Sequence, residues 1–194
     1  MSPLLVAALG NPGRDYEGTR HNLGWLVIDR LAQKHRLTWK SVPSFEAEVA
    51  RWEPLPGSQR WLLKPLTFMN ESGRSVGAFA RYHRIAVASI TAVYDDLGLD
   101  CARQKVSVRG SAGGHNGVAS LLEHLGDGFV RYRLGIGPKS PPEIDLKDYV
   151  LGTFTSDQHT LIQQKLDHFV TGLERLLDRG PDQAMNELNR KDPP

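Results

Sequence analysis

The chain is 194 residues long and 40% hydrophobic, and its 24 Lys and Arg against 22 Asp and Glu leave a formal charge of +2. That length and apolar fraction fit one domain with a sizeable core, and the near balance of charge excludes nucleic-acid binding driven by overall charge, leaving local clustering as the only electrostatic route. A single cysteine, Cys101, excludes an intramolecular disulfide and suits a reducing cytosol, while the first residues carry no basic leader and no run near the roughly 18 apolar residues of a membrane span, so no export signal or anchor is expected.

The first element is Pro3–Leu9, an apolar run predicted as a buried parallel strand. Gly10, Pro12 and Gly13 then punctuate the chain. Asn22–His35 is a predicted helix, with Leu23, Leu26, Val27 and Leu31 on one face and Asp29, Arg30, Gln33 and Lys34 opposite. Because ligands in open α/β sheets sit beyond the carboxyl ends of the strands, Asn11 and His21 fall at a site-like position. Phe45, Ala47 and Val49 alternate with Glu46 and Glu48, and Arg60–Lys64 follows beyond Pro54, Pro56 and Gly57. This predicts a hairpin and one antiparallel pair in the sheet.

Pro65–Glu71 reads as a loop, and Val76, Phe79, Ala80 and His83 recur at helical spacing, so Asn70 sits at a strand-to-helix junction. Ile90–Tyr94 is the next apolar run, predicted to stop at the carboxylates Asp95 and Asp96. Lys105–Arg109 reads as a half-buried strand, and Gly110–Gly117 as a flexible loop carrying His115 and Asn116 ahead of a helix over Val118–Leu125. Arg131–Ile136 is the last predicted strand and Pro138–Asp145 a proline-broken loop. A stripe of Ile162, Leu166, Phe169, Val170, Leu173 and Leu177 predicts a long helix from Ser156, opened by a Thr155–Gln158 capping box and stopped by Gly180 and Pro181. With no repeats, low-complexity segments or linker, residues 1–190 read as a single α/β domain and residues 191–194 as a frayed tail.

His21 is the first candidate for chemistry, because a histidine titrating near neutrality can take a proton from water at about 2.6 to 3.2 Å. It also reads as a helix-start histidine bonded to backbone. Asp95, on a different strand, can accept from the other ring nitrogen and fix the tautomer, with Asp96 as the competing partner. No nucleophile completes a triad: there is no G-x-S-x-G, and Cys101 lacks the local signatures of a catalytic cysteine. A His–Asp pair without a nucleophile implies direct attack by water, best suited to an ester.

Asn11, Asn70 and Asn116 stand on three separate loops, and converging amides can hold a peptide and polarise a carbonyl oxygen, although Asn is also common in turns. Lys105, Arg109, Arg131, Arg133, Lys139 and Lys147 fit either a solvated basic face or an RNA backbone, with the helix after Gly117 offering its N-terminus to a phosphate. Tyr16, Phe68 and Tyr82 can stack on a base or sugar; Phe68 and Met69 read equally well as core. Gly10-Asn-Pro-Gly13 lacks G-x-G-x-x-G and is rejected as a dinucleotide loop, and His21, Asp95 and His115 have no short-spaced metal-ligand pattern, so no metal is expected.

GNPGRDYEGTRHNLG at 10–24, PLTFMNESG at 65–73, YDDLGL at 94–99 and GGHNG at 113–117, in that order and with FVRYRLGIGPK and YVLGTFT, resemble the bacterial peptidyl-tRNA hydrolase family over nearly the whole chain. The resemblance implies a single α/β domain with a mixed twisted β-sheet flanked by α-helices, acting as a cytoplasmic monomer with no obligate protein partner and no membrane contact. It implies hydrolysis, without metal or other cofactor, of the ester joining a peptide to the 3′-terminal ribose of tRNA, which recycles tRNA from stalled translation. By the same resemblance His21 is the catalytic histidine and Asp95 the aspartate that orients it. Asn11, Asn70 and Asn116 hold the peptide and the tRNA end, Met69 and His115 line the cleft beside Phe68, and Tyr16 lies near the ribose. Lys105 and Arg133 contact tRNA phosphates.

The chain departs from the family pattern in Tyr94-Asp95-Asp96, where relatives have His-Asp-Glu, and in Leu99-Asp100-Cys101, where they have a proline-containing turn. Ser107 replaces a frequent lysine, with Arg109 a substitute charge, and Ala112 replaces a glycine or histidine. A different class is an RNA-binding splicing factor, since organellar relatives have become such proteins. The intact His21, Asp95, Asn11, Asn70 and Asn116 set speaks for the hydrolase. A general small-ester hydrolase is a third reading, distinguished by activity that does not depend on tRNA.

Overall fold

A computed structural model describes residues 4–190; Pro3 and the expected tail at 191–194 lie outside the described residues. Seven strands form one sheet in the order β2-β3-β4-β1-β5-β7-β6. They are β1 (Leu4–Ala8), β2 (Lys40–Val42), β3 (Ala47–Trp52), β4 (Arg60–Pro65), β5 (Ile90–Asp100), β6 (Gln104–Ser107) and β7 (Val130–Gly137). The centre is parallel, β1 pairing with β4 and β5, and β5 with β7. Both margins are antiparallel, through β2–β3, β3–β4 and β6–β7. The sheet is therefore mixed, as expected, but with three antiparallel pairings where the sequence pointed to one. β2 has three residues of which two are exposed, so it carries no alternation to read.

Helices cover both faces, because alternate residues of the central strands are apolar on both sides. Val6 and Ala8 of β1 and Val93 of β5 pack under α1 (Leu23–Lys34), α5 (Ser156–Arg179) and α6 (Pro181–Leu188). Leu5, Ala7 and Leu9 pack under α2 (Ser72–Tyr82) and α3 (Asn116–Leu125). The capping box is present, with Thr155 Oγ1 accepting from the Gln158 amide and Gln158 Oε1 from the Thr155 amide. Gly180 ends α5, and Pro181, with no amide hydrogen to lose, opens α6. At the outer edge of β6, the Asn189 side chain bonds both the N–H and the C=O of Val106, closing an otherwise open strand edge.

Several expected boundaries move. α3 begins at Asn116 instead of Val118, so Asn116 opens the helix and does not ride on the loop before it. Phe45 lies in a 3-10 turn and β3 begins only at Ala47. The half-buried strand ends at Ser107 instead of Arg109. Most consequentially, β5 does not stop at Tyr94: it runs on to Asp100 along β7, with a register shift between Asp96 and Asp100. Its pairing with β1 ends at Val93, and that is what leaves Asp95 at the open end of the sheet. After the proline-broken loop the chain forms α4 (Leu146–Leu151), whose six residues are too short for a periodic signal.

Candidate active site

The site begins where β1 ends. Trp25 lies against Gly10, its ring atoms 2.7 to 2.8 Å from where a Cβ would stand, and its indole N–H donates to Ala8 O at 3.0 Å. Asn22 then clamps the next residue from both sides. Its Oδ1 accepts from the Asn11 amide at 2.8 Å and its Nδ2 donates to Asn11 O at 3.0 Å. Asn11 Oδ1 in turn accepts from the Met69 amide at 2.8 Å, tying the loop after β1 to the loop after β4. Sequence reasoning missed Asn22, although its place next to His21 was the available signal.

The start of α1 sits directly on the sheet, since a Cβ at Gly24 would stand 2.6 Å from Val93 O and 2.8 Å from Leu9 O. Gly24→Ala is accordingly expected to push the helix off the strands and destabilise the fold by about 1 to 3 kcal/mol. A denaturant midpoint equal to that of the parent protein would remove this contact from the account.

That close approach brings the turn Arg20–Asn22 to β5 at Asp95, just past its pairing with β1. His21 Nδ1 lies 2.9 Å from Asp95 Oδ1 and 3.0 Å from Oδ2. Asp95 is 2% exposed and has a second partner, His115 Nε2 at 3.1 Å. His115 is the N-cap of α3, its Nδ1 accepting from the amides of Gly117 and Val118. With a lone pair required at Nδ1, the proton of the neutral ring stands at Nε2 and points to Asp95. Burial pushes the Asp95 carboxyl up, but the charge and hydrogen bonds of His115 and His21 outweigh it and hold the group well below the usual carboxylate range. An ionised Asp95 draws the His21 proton to Nδ1 and leaves Nε2, which has no hydrogen-bond partner among the described residues, with a free lone pair.

These residues line a cleft of about 940 Å³ together with Asn70, Asn116, Tyr16, Phe68 and Met69. The three asparagines do converge on one space. The Asn70 and Asn116 side chains are exposed and make no hydrogen bond among the described residues, and Asn11 offers its Nδ2. Met69 is buried beneath, whereas Phe68 is 54% exposed and meets Tyr16 edge-on at 6.2 Å on the rim. The opposite wall, unread in the sequence, is Leu97 of β5 and Leu146, Val150 and Leu151 of α4.

His21, Asp95 and His115 also form the one His/Asp cluster among the described residues with the spacing of a metal site, their ligand atoms within 4.8 Å of one another. The hydrogen-bond roles do not fit an ion. A histidine nitrogen that ligates must be unprotonated, and the His115 Nδ1 contacts keep the proton on the very nitrogen that faces Asp95.

The family's sequence pattern, described as peptidyl-tRNA hydrolase, matches residues 5–194. The chain belongs to the peptidyl-tRNA hydrolase family. It is 40% identical over 188 residues to the peptidyl-tRNA hydrolase of Gloeobacter violaceus, covering 96% of this chain and 94% of that one. The relative from Bacillus subtilis is 38% identical over 195 residues, with 97% and 99% covered. The crystal structure of peptidyl-tRNA hydrolase from Acinetobacter baumannii superposes with a TM-score of 0.90 at 34% identity, over 98% of this chain and 96% of that one.

Among the cations expected to face RNA, this member of the peptidyl-tRNA hydrolase family sorts as follows. Arg133 lines the cleft, its Nε donating to Asp96 Oδ2, which settles why Asp96 is not the partner of His21. Neighbouring residues of a strand point to opposite faces. Arg109 is exposed and lines the cleft; Lys105 pairs in register with Arg133 across β6–β7 but lies outside the cleft walls. Arg131 also borders the cleft but is engaged differently. It is 2% exposed and its guanidinium holds the carbonyls of Gly110 and Ser111, pinning the loop before α3. At the N-terminus of α3 the Gly117 and Val118 amides are not free for a phosphate either, since His115 Nδ1 already accepts from both. Tyr82 lies away from the cleft, beside Phe45 and His83. Tyr94, the departure next to Asp95, packs edge-on against His115 at 5.0 Å, and burial pushes its phenol up.

Proposed function

We propose that His21 is the general base and Asp95 its orienting carboxylate in the hydrolysis of the ester between a peptide and the 3′-terminal ribose of tRNA. The chain is a peptidyl-tRNA hydrolase by family, an esterase of class EC 3.1.1.29, and its substrate is peptidyl-tRNA. The observation that carries the mechanism is the His21 Nδ1–Asp95 contact at 2.9 Å, with Nε2 at the cleft and unpartnered among the described residues.

His21 Nε2 takes a proton from water, whose oxygen attacks the ester carbonyl. Asp95 stabilises the imidazolium that forms, and the proton passes to the leaving ribose hydroxyl. The amides of Asn11, Asn70 and Asn116 polarise the carbonyl and hold the peptide backbone, with Met69 beneath and His115 acting through Asp95. Tyr16 and Phe68 meet the terminal nucleotide at the rim. A peptide amide at the substrate's second position satisfies the asparagines, and a free charged amine does not, which discriminates against ordinary aminoacyl-tRNA.

Lys105, Arg109 and Arg133 take the phosphates. Arg133→Ala is expected to weaken tRNA binding and to reduce the slope of log affinity against log salt by about one. An unchanged slope would remove Arg133 from the phosphate contacts.

We infer a monomer without an obligate protein partner, acting in the cytoplasm where translation releases its substrate. No described helix is long and apolar enough to cross a membrane. The deciding assay is release of N-acetyl-aminoacyl groups from tRNA beside unblocked aminoacyl-tRNA, with chelator present. Cleavage of the blocked substrate alone, lost in His21→Ala, is the expected result. Tight tRNA binding without cleavage would instead make the protein an RNA-binding relative, and tRNA-independent ester cleavage a general esterase.

A further inference from the structure

The residue immediately before His21 is a buried cation with an unusual set of partners. Arg20 is 6% exposed and, among the described residues, pairs with no carboxylate. Its Nη1 donates to Tyr149 O at 3.0 Å, a carbonyl in the last turn of α4, and its Nη2 to Gln158 Oε1 at 2.9 Å. The guanidinium carbon stands 4.1 Å from the centroid of the Tyr149 ring. Gln158 Oε1 is the same oxygen that accepts from the Thr155 amide in the capping box of α5. One side chain thus holds the end of α4 and the start of α5 together.

The backbone repeats the link. The Arg20 amide donates to Gly152 O at 3.0 Å, and Thr19 and Thr153 form an antiparallel bridge. The turn that carries His21 and the segment that carries the Leu146, Val150 and Leu151 wall of the cleft are therefore one unit, although about 130 residues separate them in sequence.

A buried charge without an acidic partner is costly, and packing alone is served more cheaply by an apolar side chain. The planar fork is what the site uses: two donors in fixed geometry reach two acceptors on different helices while the flat face stacks on Tyr149, which an ammonium cannot reproduce. We propose that Arg20 is a positioning residue, which locks the His21 turn to the α4 wall so that a peptide resting on α4 and the base that attacks its ester keep one register. The inference rests on His21 being the base.

The test is Arg20→Lys, assayed on N-acetyl-aminoacyl-tRNA beside His21→Ala. Expected are a fall in kcat of about 10- to 100-fold, with KM and the affinity for deacylated tRNA held within about threefold, because misplacement of a base acts on the chemical step. The low-field imidazole N–H resonance of the His21–Asp95 contact, read by NMR, is expected to shift or broaden. If Arg20→Lys does not fold, Gln158→Ala removes only the Nη2 acceptor and is expected to give a smaller fall in kcat with the same change in that resonance. Parent-like kcat in the folded variant would overturn the inference, as would a loss matched by tRNA affinity with the resonance unmoved. Activity retained in His21→Ala would instead overturn the assignment of the base itself.

Discussion

His21→Ala is expected to lower kcat on N-blocked aminoacyl-tRNA by about 10²- to 10⁴-fold, close to abolition, with tRNA affinity unchanged. The reason is positional. His21 Nε2 is the free imidazole lone pair at the cleft, because the His115 ring has both nitrogens engaged, Nδ1 by two backbone amides and Nε2 by Asp95. The fold persists. Asp95 keeps one donor of two, and losing the other costs about 1 to 3 kcal/mol for a buried acceptor, leaving most of a domain's stability in place. Single-turnover release of N-acetyl-aminoacyl groups, with circular dichroism on the same sample, checks both halves. Full activity in a folded variant would end the mechanism.

Asp95→Asn is expected to reduce kcat less, by about 10²-fold, and the direction follows from tautomers. His115 is locked as an Nε2–H donor by the start of α3, so it claims the carbonyl oxygen of the new amide. The amide NH₂ then faces His21 Nδ1, which must accept, and the proton moves to Nε2, the nitrogen meant to take one from water. A minor population with the productive tautomer keeps some turnover. If His115→Ala in the Asp95→Asn background restores no activity, this competition for the oxygen is wrong.

The same carboxylate sets an acid dependence. Its folded-state value is depressed, so its stabilisation is fully present above the ordinary 3.8 and is lost as pH falls below it. Asp95→Asn is expected to lose less stability on acidification than the parent across that range.

Much of the site was legible because its residues sit in short runs with strong local meaning. Gly10, Pro12 and Gly13 can only be a turn, an apolar strand precedes them, and a helical stripe follows, so Asn11 and His21 had to lie at a strand-to-helix connection. Asn70 was placed by the same logic, and Thr155 with Gln158 opened α5 as read. The misses share one cause, which is that their structure is dictated by neighbours distant in sequence. Nothing in Ile90–Asp100 says that β5 continues past Tyr94, because β7 supplies that pairing. Lys40–Val42 is a strand only because β3 lies beside it. Arg131 and Arg133 look alike in the chain, but one is buried under the loop at Gly110 and the other meets Asp96 at the cleft.

By itself the sequence determined the α/β class, the order of the longer strands and helices, the family and the set of polar residues gathered at the strand ends, since periodicity, turn chemistry and local motifs are properties of neighbouring residues. Only the tertiary structure decided which carboxylate His21 meets, that His115 shares it with a fixed proton, that α4 walls the cleft and that Arg20 joins α4 to the His21 turn. Those are contacts between residues 20 to 138 positions apart, and their geometry exists only once the sheet has been assembled and the helices laid upon it.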